Sequence, residues 1–400
     1  MDLNYTAEET QFREEVRSFI RSSLSPAIRS KMQNGQMLER EDIVGWQRIL
    51  NKKGWAVPLW PQEWGGTGWE PVRQYIFKEE MYAAWAPEPV SMNVAMVGPV
   101  LIQFGTQQQK EYFLPRIANL DFWFCQGFSE PNAGSDLASL QTRAVRDGDE
   151  YIVTGQKIWT TSAHRADWMF CLVRTDPTAK KQRGISYLLI DMKSPGITVK
   201  PIVTIDGSHS VNEVFLDQVR VPTANLIGEE NRGWDYAKFL LGNERLLGAR
   251  IGLSKARLRH AREMARRVRV DGNTLADTSQ FRERTASLEI ELLALEITNL
   301  RVLGDATRQS TSSKQDPKMS VLKLKGSDLQ QATAELLLDV AGPHILPRQT
   351  EYLLGQTDAT IGPEWAATIA PKYLFSRATT IYGGTNEVQR NIIAKSVLGL

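Results

Sequence analysis

Two short runs in this chain carry residue types that suit a flat, polar ring system with phosphates attached. They are Gln126-Gly-Phe-Ser-Glu-Pro-Asn-Ala-Gly-Ser-Asp136 and Gly155-Gln-Lys-Ile-Trp-Thr-Thr-Ser162. The first is dense in Gly, Pro and small hydroxyl residues between apolar stretches. That composition predicts an ordered, tight loop with several backbone N–H groups aimed at one spot. Ser129 and Ser135 add hydroxyl donors, and Gly134 lets a ligand approach the main chain closely. The second run closes a strand on Trp159, with Thr160 and Thr161 beside it, an aromatic wall next to hydroxyls. Taken singly, each run also fits an ordinary loop or a buried tryptophan.

A third stretch, Leu240-Leu-Gly-Asn-Glu-Arg-Leu-Leu-Gly-Ala-Arg-Ile251, sets a carboxylate among apolar residues. Leu240, Leu247 and Ile251 fall on one helical stripe, and Glu244 completes it. A carboxylate there is costly unless it is paired or functional. Periodicity by itself favours the pairing, or a face that turns to solvent at that level. Further on, Lys255, Arg257, Arg259, Arg262, Arg266, Arg267 and Arg269 make a basic run that reads as a solvated helix face. His164, His209, His260 and His344 share no spacing and receive no catalytic role. No cluster has metal-ligand spacing, and Cys125 and Cys171, both in apolar stretches, read as buried inert thiols.

The elements that must position these runs change character along the chain. Thr6 and Glu9 form a capping-box pattern ahead of Phe12, Val16, Phe19 and Ile20 at helical spacing. Helical patterns then dominate up to residue 120, broken by a Trp- and Gly-rich connector whose tryptophans read as packing anchors. Near Phe122 the pattern turns to short strands punctuated by Gly and Pro, including a hairpin with an Asp147-Gly148 turn. Nothing between these strands is long enough for crossover helices, which argues for an antiparallel β domain. No Gly-x-Gly-x-x-Gly follows a strand, which argues against a dinucleotide fold. From Trp234 onward helices are expected over about 234–270, 280–304 and 317–341, the last starting at Asp316-Pro317.

The 400 residues, 42% of them hydrophobic, suffice for two or three packed domains. With 48 cationic and 46 anionic side chains and a net charge of +2, the balance gives no argument for nucleic acid or a membrane surface. No stretch approaches the roughly 20 apolar residues that span a bilayer. The acidic start, Met1-Asp-Leu-Asn-Tyr-Thr-Ala-Glu-Glu, reads as neither signal nor transit peptide. A soluble, cytoplasmic protein is expected.

The order of these regions, with Ser129-Glu-Pro-Asn-Ala-Gly-Ser-Asp136, Gly155-Gln-Lys-Ile-Trp-Thr161, Val214-Phe215 through Val221-Pro222, and Ile381-Tyr-Gly-Gly-Thr-Asn-Glu-Val-Gln-Arg390, resembles the acyl-CoA dehydrogenase family along nearly the whole chain. The amino-terminal stretch and the run from Ala237 to Arg245 are most similar to the branch containing the large subunit of pimeloyl-CoA dehydrogenase. The resemblance implies an α+β fold: an amino-terminal helical domain (1–121), a middle antiparallel β domain (122–233) and a carboxyl-terminal four-helix bundle (234–400). It implies FAD lying between β domain and bundle and touching a neighbouring subunit. Gln126, Phe128, Ser129, Gly134, Ser135, Trp159, Thr160, Thr161, Thr385 and Glu387 would then surround the cofactor. Phe128, which stands where the family usually has a small aliphatic residue, and Ser129 would face its ring. Trp159 and Thr161 would flank that ring near N5, and Thr385 and Glu387 would approach the adenosine half. Ser135 would lie between pyrophosphate and acyl-CoA.

The family's reaction gives the proton α to a thioester to a base, while the β hydride goes to the flavin. Many members carry that glutamate just after the Tyr of the carboxyl-terminal motif, where this chain has Gly383. A minority, including isovaleryl- and long-chain-type enzymes, carry it at the position of Glu244. The resemblance therefore assigns the base to Glu244, acyl-CoA contact to Arg245, and thioester-oxygen contact to the Gly383 N–H. It implies an acyl-CoA substrate, a trans-2-enoyl-CoA product, electrons passed to an electron-transfer flavoprotein, and a homotetramer or an α2β2 assembly with a related smaller subunit. Two alternatives stay open: a half-site subunit that completes a partner's flavin site, and a member turned to oxidase or monooxygenase chemistry.

Overall fold

The computed structural model describes the backbone of residues 5–244, 249–308 and 318–400. Helix α1 (Ala7–Ser23) begins on the expected capping box: Thr6 Oγ1 accepts from the Glu9 N–H, and the Glu9 carboxylate accepts from the Thr6 N–H. It buries Phe12, Val16 and Ile20. Helices α2 (Pro26–Gln33), α3 (Arg40–Lys53), α4 (Pro71–Ala83), α5 (Gly98–Phe104) and α6 (Gln107–Ala118) follow, with a π-helical turn over Met92–Val97. Helix α3 stops where Gly54 takes a left-handed φ of 79°. Trp55 and Trp60 of the connector are buried, and Trp55 meets Trp69 edge-on, so these rings are packing anchors.

Seven strands form the middle region: β1 (Phe124–Gly127), β2 (Arg143–Asp147), β3 (Glu150–Thr161), β4 (Trp168–Arg174), β5 (Ile185–Asp191), β6 (Ile197–Val203) and β7 (His209–Pro222). They lie in the order β1-β4-β2-β3-β7-β6, with β5 also on β4. Most pairings are antiparallel, and the β2–β3 hairpin that the sequence predicts at Asp147-Gly148 turns one residue later, on Gly148-Asp149, because Asp147 itself pairs with Glu150. Two pairings are parallel, β1 with β4 and the edge of β2 with β4. They arise because the chain leaves β1 through the Ser129–Asp136 loop and a hairpin before β4 returns alongside it.

Strand β4 shows how the sheet divides two cores with the period of two that strands impose. Phe170 and Leu172 join the amino-terminal helices, while Met169, Cys171 and Val173 join the opposite face. Both cysteines are fully buried free thiols, and burial raises their pKa.

The carboxyl-terminal region contains α7 (Gly233–Glu244), α8 (Ile251–Ala265), a small hairpin of β8 (Arg269–Val270) and β9 (Asn273–Thr274), α9 (Ser279–Arg308), α10 (Lys318–Ala341), α11 (Thr350–Leu353), α12 (Ile369–Ser376) and α13 (Asn386–Ile393). The single helix expected over 234–270 is corrected here. Helix α7 ends at Glu244, and Arg250 sits at φ 41° before α8. The chain is also out of helix by Arg269, because Asp271-Gly272 makes a hairpin turn. Asp316 and Pro317 lie outside the described residues. Tyr236, Ala237 and Leu240 of α7 pack into the core shared by the amino-terminal helices and the sheet, whereas α8, α9 and α10 bury a separate core. Among the described residues no helix is long and apolar enough to cross a membrane.

Candidate active site

The two runs singled out in the sequence are held together by a buried ion pair. Lys157, on β3 and fully buried, donates from Nζ to Glu130 Oε1 at 2.7 Å and to the Leu172 carbonyl at 2.7 Å. Glu130 also accepts from the Gln141 and Thr142 N–H groups at 2.6 and 2.9 Å. Burial opposes its charge, but Lys157 and these donors outweigh it and hold the carboxyl below its ordinary range. Paired backbone bonds between Glu130 and Ala133 tighten the loop, and Ile158 N–H donates to the Ser129 carbonyl. Arg174 closes the far end by donating to the Ala138 and Leu140 carbonyls.

This framework decides what each predicted residue can offer. Phe128 turns its side chain into the core, edge-on to Phe170 and Tyr187, and its carbonyl accepts from Lys157 Nζ at 3.3 Å. Gln126 is half-buried on β1, and Ser129 is half-buried beside it on the loop. Gly134 and Ser135 are exposed, and a β-carbon at Gly134 would meet nothing within 4 Å. The glycine therefore leaves open space rather than making room for protein.

Strand β3 is irregular just where the second run ends. The register with β7 shifts between Lys157 and Thr160, and Trp159 adopts φ 60°. A bulge of this kind re-aims a side chain, and Trp159 stands 56% exposed. Thr160 points the other way and is buried, with its Oγ1 lacking any hydrogen-bond partner among the described residues. Thr161 is half-buried beside it. An outward tryptophan beside an open glycine loop fits a planar ligand that brings its own hydrogen-bonding groups.

Two histidines that share no sequence spacing meet behind this turn. His164 and His209 stack with ring centroids 4.2 Å apart. Asn212 contacts both, at 3.2 Å to His164 Nδ1 and 2.6 Å to His209 Nε2, and donates to the Thr160 carbonyl at 2.9 Å. Burial, His209 and Arg165 together lower the pKa of His164.

The carboxyl-terminal motif forms a separate turn. Gly383 and Gly384 have φ 66° and 81°, which only glycine adopts cheaply. No described residue accepts from the Gly383 N–H. Buried Gln389, anchored by Ser320, reaches back to the Gly384 carbonyl at 3.4 Å. Thr385 caps α13 through the Val388 N–H, so its hydroxyl is already engaged. Glu387 is exposed near Arg390, and the backbone donor at its own N–H lowers its pKa, with the Thr385 hydroxyl second. Glu244 closes α7, and its side chain, like Arg245 and Leu247, lies outside the described residues.

The basic run on α8 is not one solvated face. Lys255 bridges Glu79 and Glu296, Arg262 pairs with Glu289, and Arg257 lines an internal cavity. Sequence reasoning also missed the Lys157–Glu130 pair and the role of Asn212. Charged residues inside two otherwise ligand-like motifs were the only signal for the first, and nothing marked the second. Among the described residues no His, Cys, Asp or Glu cluster could hold a metal ion.

Comparison with known proteins agrees along the whole chain. Residues 6–121, 125–219 and 231–398 match the amino-terminal, middle and carboxyl-terminal domain models of acyl-CoA dehydrogenases. The acyl-CoA dehydrogenase IpdE1 of Mycobacterium tuberculosis is 37% identical over 399 residues, covering 98% of this chain and 97% of that protein. Two solved structures superpose closely. The ChsE4-ChsE5 complex from M. tuberculosis has a TM-score of 0.83 at 32% identity, and a steroid enzyme, the Tcur3481-Tcur3483 ACAD, has 0.85 at 30%. Each comparison covers 100% of this chain and 99% of the other.

Proposed function

We propose, because this chain belongs to the acyl-CoA dehydrogenase family, that it binds FAD and takes part in the α,β-dehydrogenation of an acyl-CoA thioester to the trans-2-enoyl-CoA. The chain is an oxidoreductase of that family, and the proposal concerns its cofactor, residues, substrate and partners. The observation that carries it is the Trp159–Thr161 turn. A bulge throws Trp159 outward, beside the open loop at Gly134. FAD, when bound there, supplies the acceptor for the β hydride.

The chain's own residues do the remaining work. The loop from Phe128 to Ser135 and the Trp159–Thr161 turn hold and orient the ring, with Gln126 beneath, while Thr385 and Glu387 serve the adenosine half. Ser135 and Arg245 contact acyl-CoA. The Gly383 N–H, without an acceptor among the described residues, donates to the thioester oxygen and stabilises the charge that grows there as the α proton leaves. Glu244 takes that proton. Its backbone closes α7, and a carboxylate base works best where its proton affinity is raised towards the working range.

A second reading has specific support. Both superposed structures are named for two proteins, ChsE4-ChsE5 and Tcur3481-Tcur3483, and Gly383 leaves one familiar base position without a side chain. In this reading the chain is one subunit of an α2β2 assembly and shares its flavin site with an unlike partner; the homotetramer is the alternative. The steroid enzyme among the relatives suggests a bulky acyl group, whereas the pimeloyl-like look of the Ala237–Arg245 run suggests a linear one. Transfer to an electron-transfer flavoprotein and a cytoplasmic location belong to the same proposal.

Purification and anaerobic flavin bleaching test it. The chain, alone or with a co-purifying partner, is expected to be yellow, oligomeric by light scattering, and bleached by some member of an acyl-CoA panel. A colourless protein that takes up no FAD on reconstitution overturns the cofactor assignment. Oxygen consumption without an added acceptor would replace dehydrogenase by oxidase chemistry.

A further inference from the structure

Between α2, α4, α8, α10 and α12 the protein forms a partly open cavity of about 220 Å³, in which Arg257 and Lys372 are half-buried. Arg257 and His260 line it from α8, Lys372 and Tyr373 from α12, and Tyr82 and Trp365 from the sides. No aspartate or glutamate is among its lining residues. Two permanent cations in such a place are costly unless a counter-charge completes them.

Neither has one. No described residue gives the Lys372 ammonium a hydrogen bond or an ion pair. Its stem runs against the turn that follows α2, where a β-carbon at Gly35 would lie 3.3 Å from Lys372 Cε. Arg257 donates one N–H to the Gln330 carbonyl at 2.9 Å and keeps the rest of its fork available. Burial, with Arg250 nearby, lowers its pKa to about 10, and burial with Arg257 lowers that of Lys372. The carboxylates around them are already engaged. Glu88 accepts from Tyr82 at 2.6 Å and faces Lys78, and Asp206 accepts from Thr204 and Ser208.

The position of the cavity says which anion would reach it. Helix α8 continues the chain that leaves Glu244, and α12 leads into the turn that holds Gly383. Arg257 lies within the electrostatic reach of Tyr382, next to Gly383. The cavity thus lies where two segments meet, one from the proposed base and one from the proposed thioester donor. Besides the cations its walls are mainly aromatic and aliphatic, with Gln33, Gln36, His260 and Thr368 as neutral polar groups, which suits an apolar body with a charged tip.

We propose that this cavity receives the far end of the acyl group, and that Arg257 and Lys372 select an acyl-CoA whose chain ends in a carboxylate. The proposal rests on the acyl-CoA reading above and adds to it the polarity of the acyl terminus.

Calorimetric binding to the full chain, with FAD and any co-purifying partner, tests it without needing turnover. Thioesters are compared in pairs of equal carbon number: hexanoyl- against adipyl-CoA, octanoyl- against suberyl-CoA, and decanoyl- against sebacyl-CoA. At one length at least, the carboxylate-ended member is expected to bind 10-fold or more tighter, and Lys372→Met and Arg257→Met are each expected to bring that ratio close to one. No preference at any length, or a preference that survives both variants, overturns the proposal. Free suberate binding as tightly as suberyl-CoA would also overturn it, because the cavity would then be an anion site independent of the acyl chain. Lys372→Met is expected to keep or raise Tm, since it removes a desolvated cation; if it unfolds the protein, the lysine is structural and the proposal fails. A binding preference without flavin bleaching by any thioester would leave the cavity assignment standing and bring down the dehydrogenase reading alone.

Discussion

Lys157 Nζ lies 2.7 Å from Glu130 Oε1, and with the Ile158 N–H bond to the Ser129 carbonyl this contact fastens the strand that carries Trp159 to the loop containing Ser135. The side chains are 0% and 8% exposed, so neither charge has water to fall back on. Removing one partner strands the other, which typically costs about 3–5 kcal/mol. Glu130→Gln and Lys157→Met should therefore each lower the urea midpoint strongly. The double variant Glu130→Leu/Lys157→Met should recover part of the loss. Equal destabilisation by the single and double changes would show that the pair is not coupled. The depressed pKa of Glu130 also fixes the pH dependence. Its contribution is complete above the unfolded value of about 4.3 and disappears as pH falls through the lower folded value. That loss should be absent in the double variant.

Trp159 separates stability from ligand binding. A bulky residue at φ 60° carries about 1–2 kcal/mol of backbone strain. Trp159→Gly should raise Tm of the cofactor-free protein while weakening FAD uptake in reconstitution titrations. A fall in both, or no change in uptake, would remove Trp159 from the proposed ring site.

Glu244→Gln keeps size and hydrogen bonding but removes basicity. Flavin content and acyl-CoA binding should survive, while stopped-flow flavin reduction should slow by about 10²–10⁴-fold. Reduction at the parent rate would assign the base elsewhere or to a partner subunit. Glu244→Gly with Gly383→Glu should restore part of the rate if both positions face one substrate carbon. The rescue will be incomplete, because Gly383 sits at φ 66° and a glutamate there is strained.

The stacked histidines predict a second pH effect. His164 is held neutral by burial, by His209 and by Arg165, so its folded pKa lies below the unfolded value of about 6.5. The unfolded chain then binds more protons below that pH, and stability should decline as pH falls from about 6.5 towards the folded pKa. Tm measured from pH 7.5 to 5 should show this slope, and His164→Gln should flatten it. An unchanged slope would place its origin in other groups, such as His260, whose pKa burial also lowers.

Much of the scaffold was legible because it is written in local chemistry. The Thr6–Glu9 cap and the β2–β3 hairpin turn each depend on a few adjacent residues, and each appears within one residue of its signal. The loop at Ser129–Asp136 was visible from composition for the same reason. What stayed hidden depends on residues distant in sequence. The bulge that exposes Trp159 is a mismatch of β3 against β7, and the His164–His209 stack exists only because those strands pair. The basic run on α8 looked like one surface because periodicity cannot see that α4, α9, α10 and α12 pack around it.

The parallel pairing of β1 with β4 sets an order on synthesis. Phe124–Gly127 can take its place only beside Trp168–Cys171, and the intervening loop is locked at Lys157 and again at Arg174. While the nascent chain is shorter than residue 174, the Ser129–Asp136 segment has no completed anchor and Phe128 has no Phe170 or Tyr187 to pack against. At about 5–20 residues per second, that leaves a few seconds in which the segment is open to proteases and chaperones. Pulse-labelled ribosome-bound chains truncated before residue 168 should be cleaved within 124–140, and chains that expose residue 190 beyond the exit tunnel should resist.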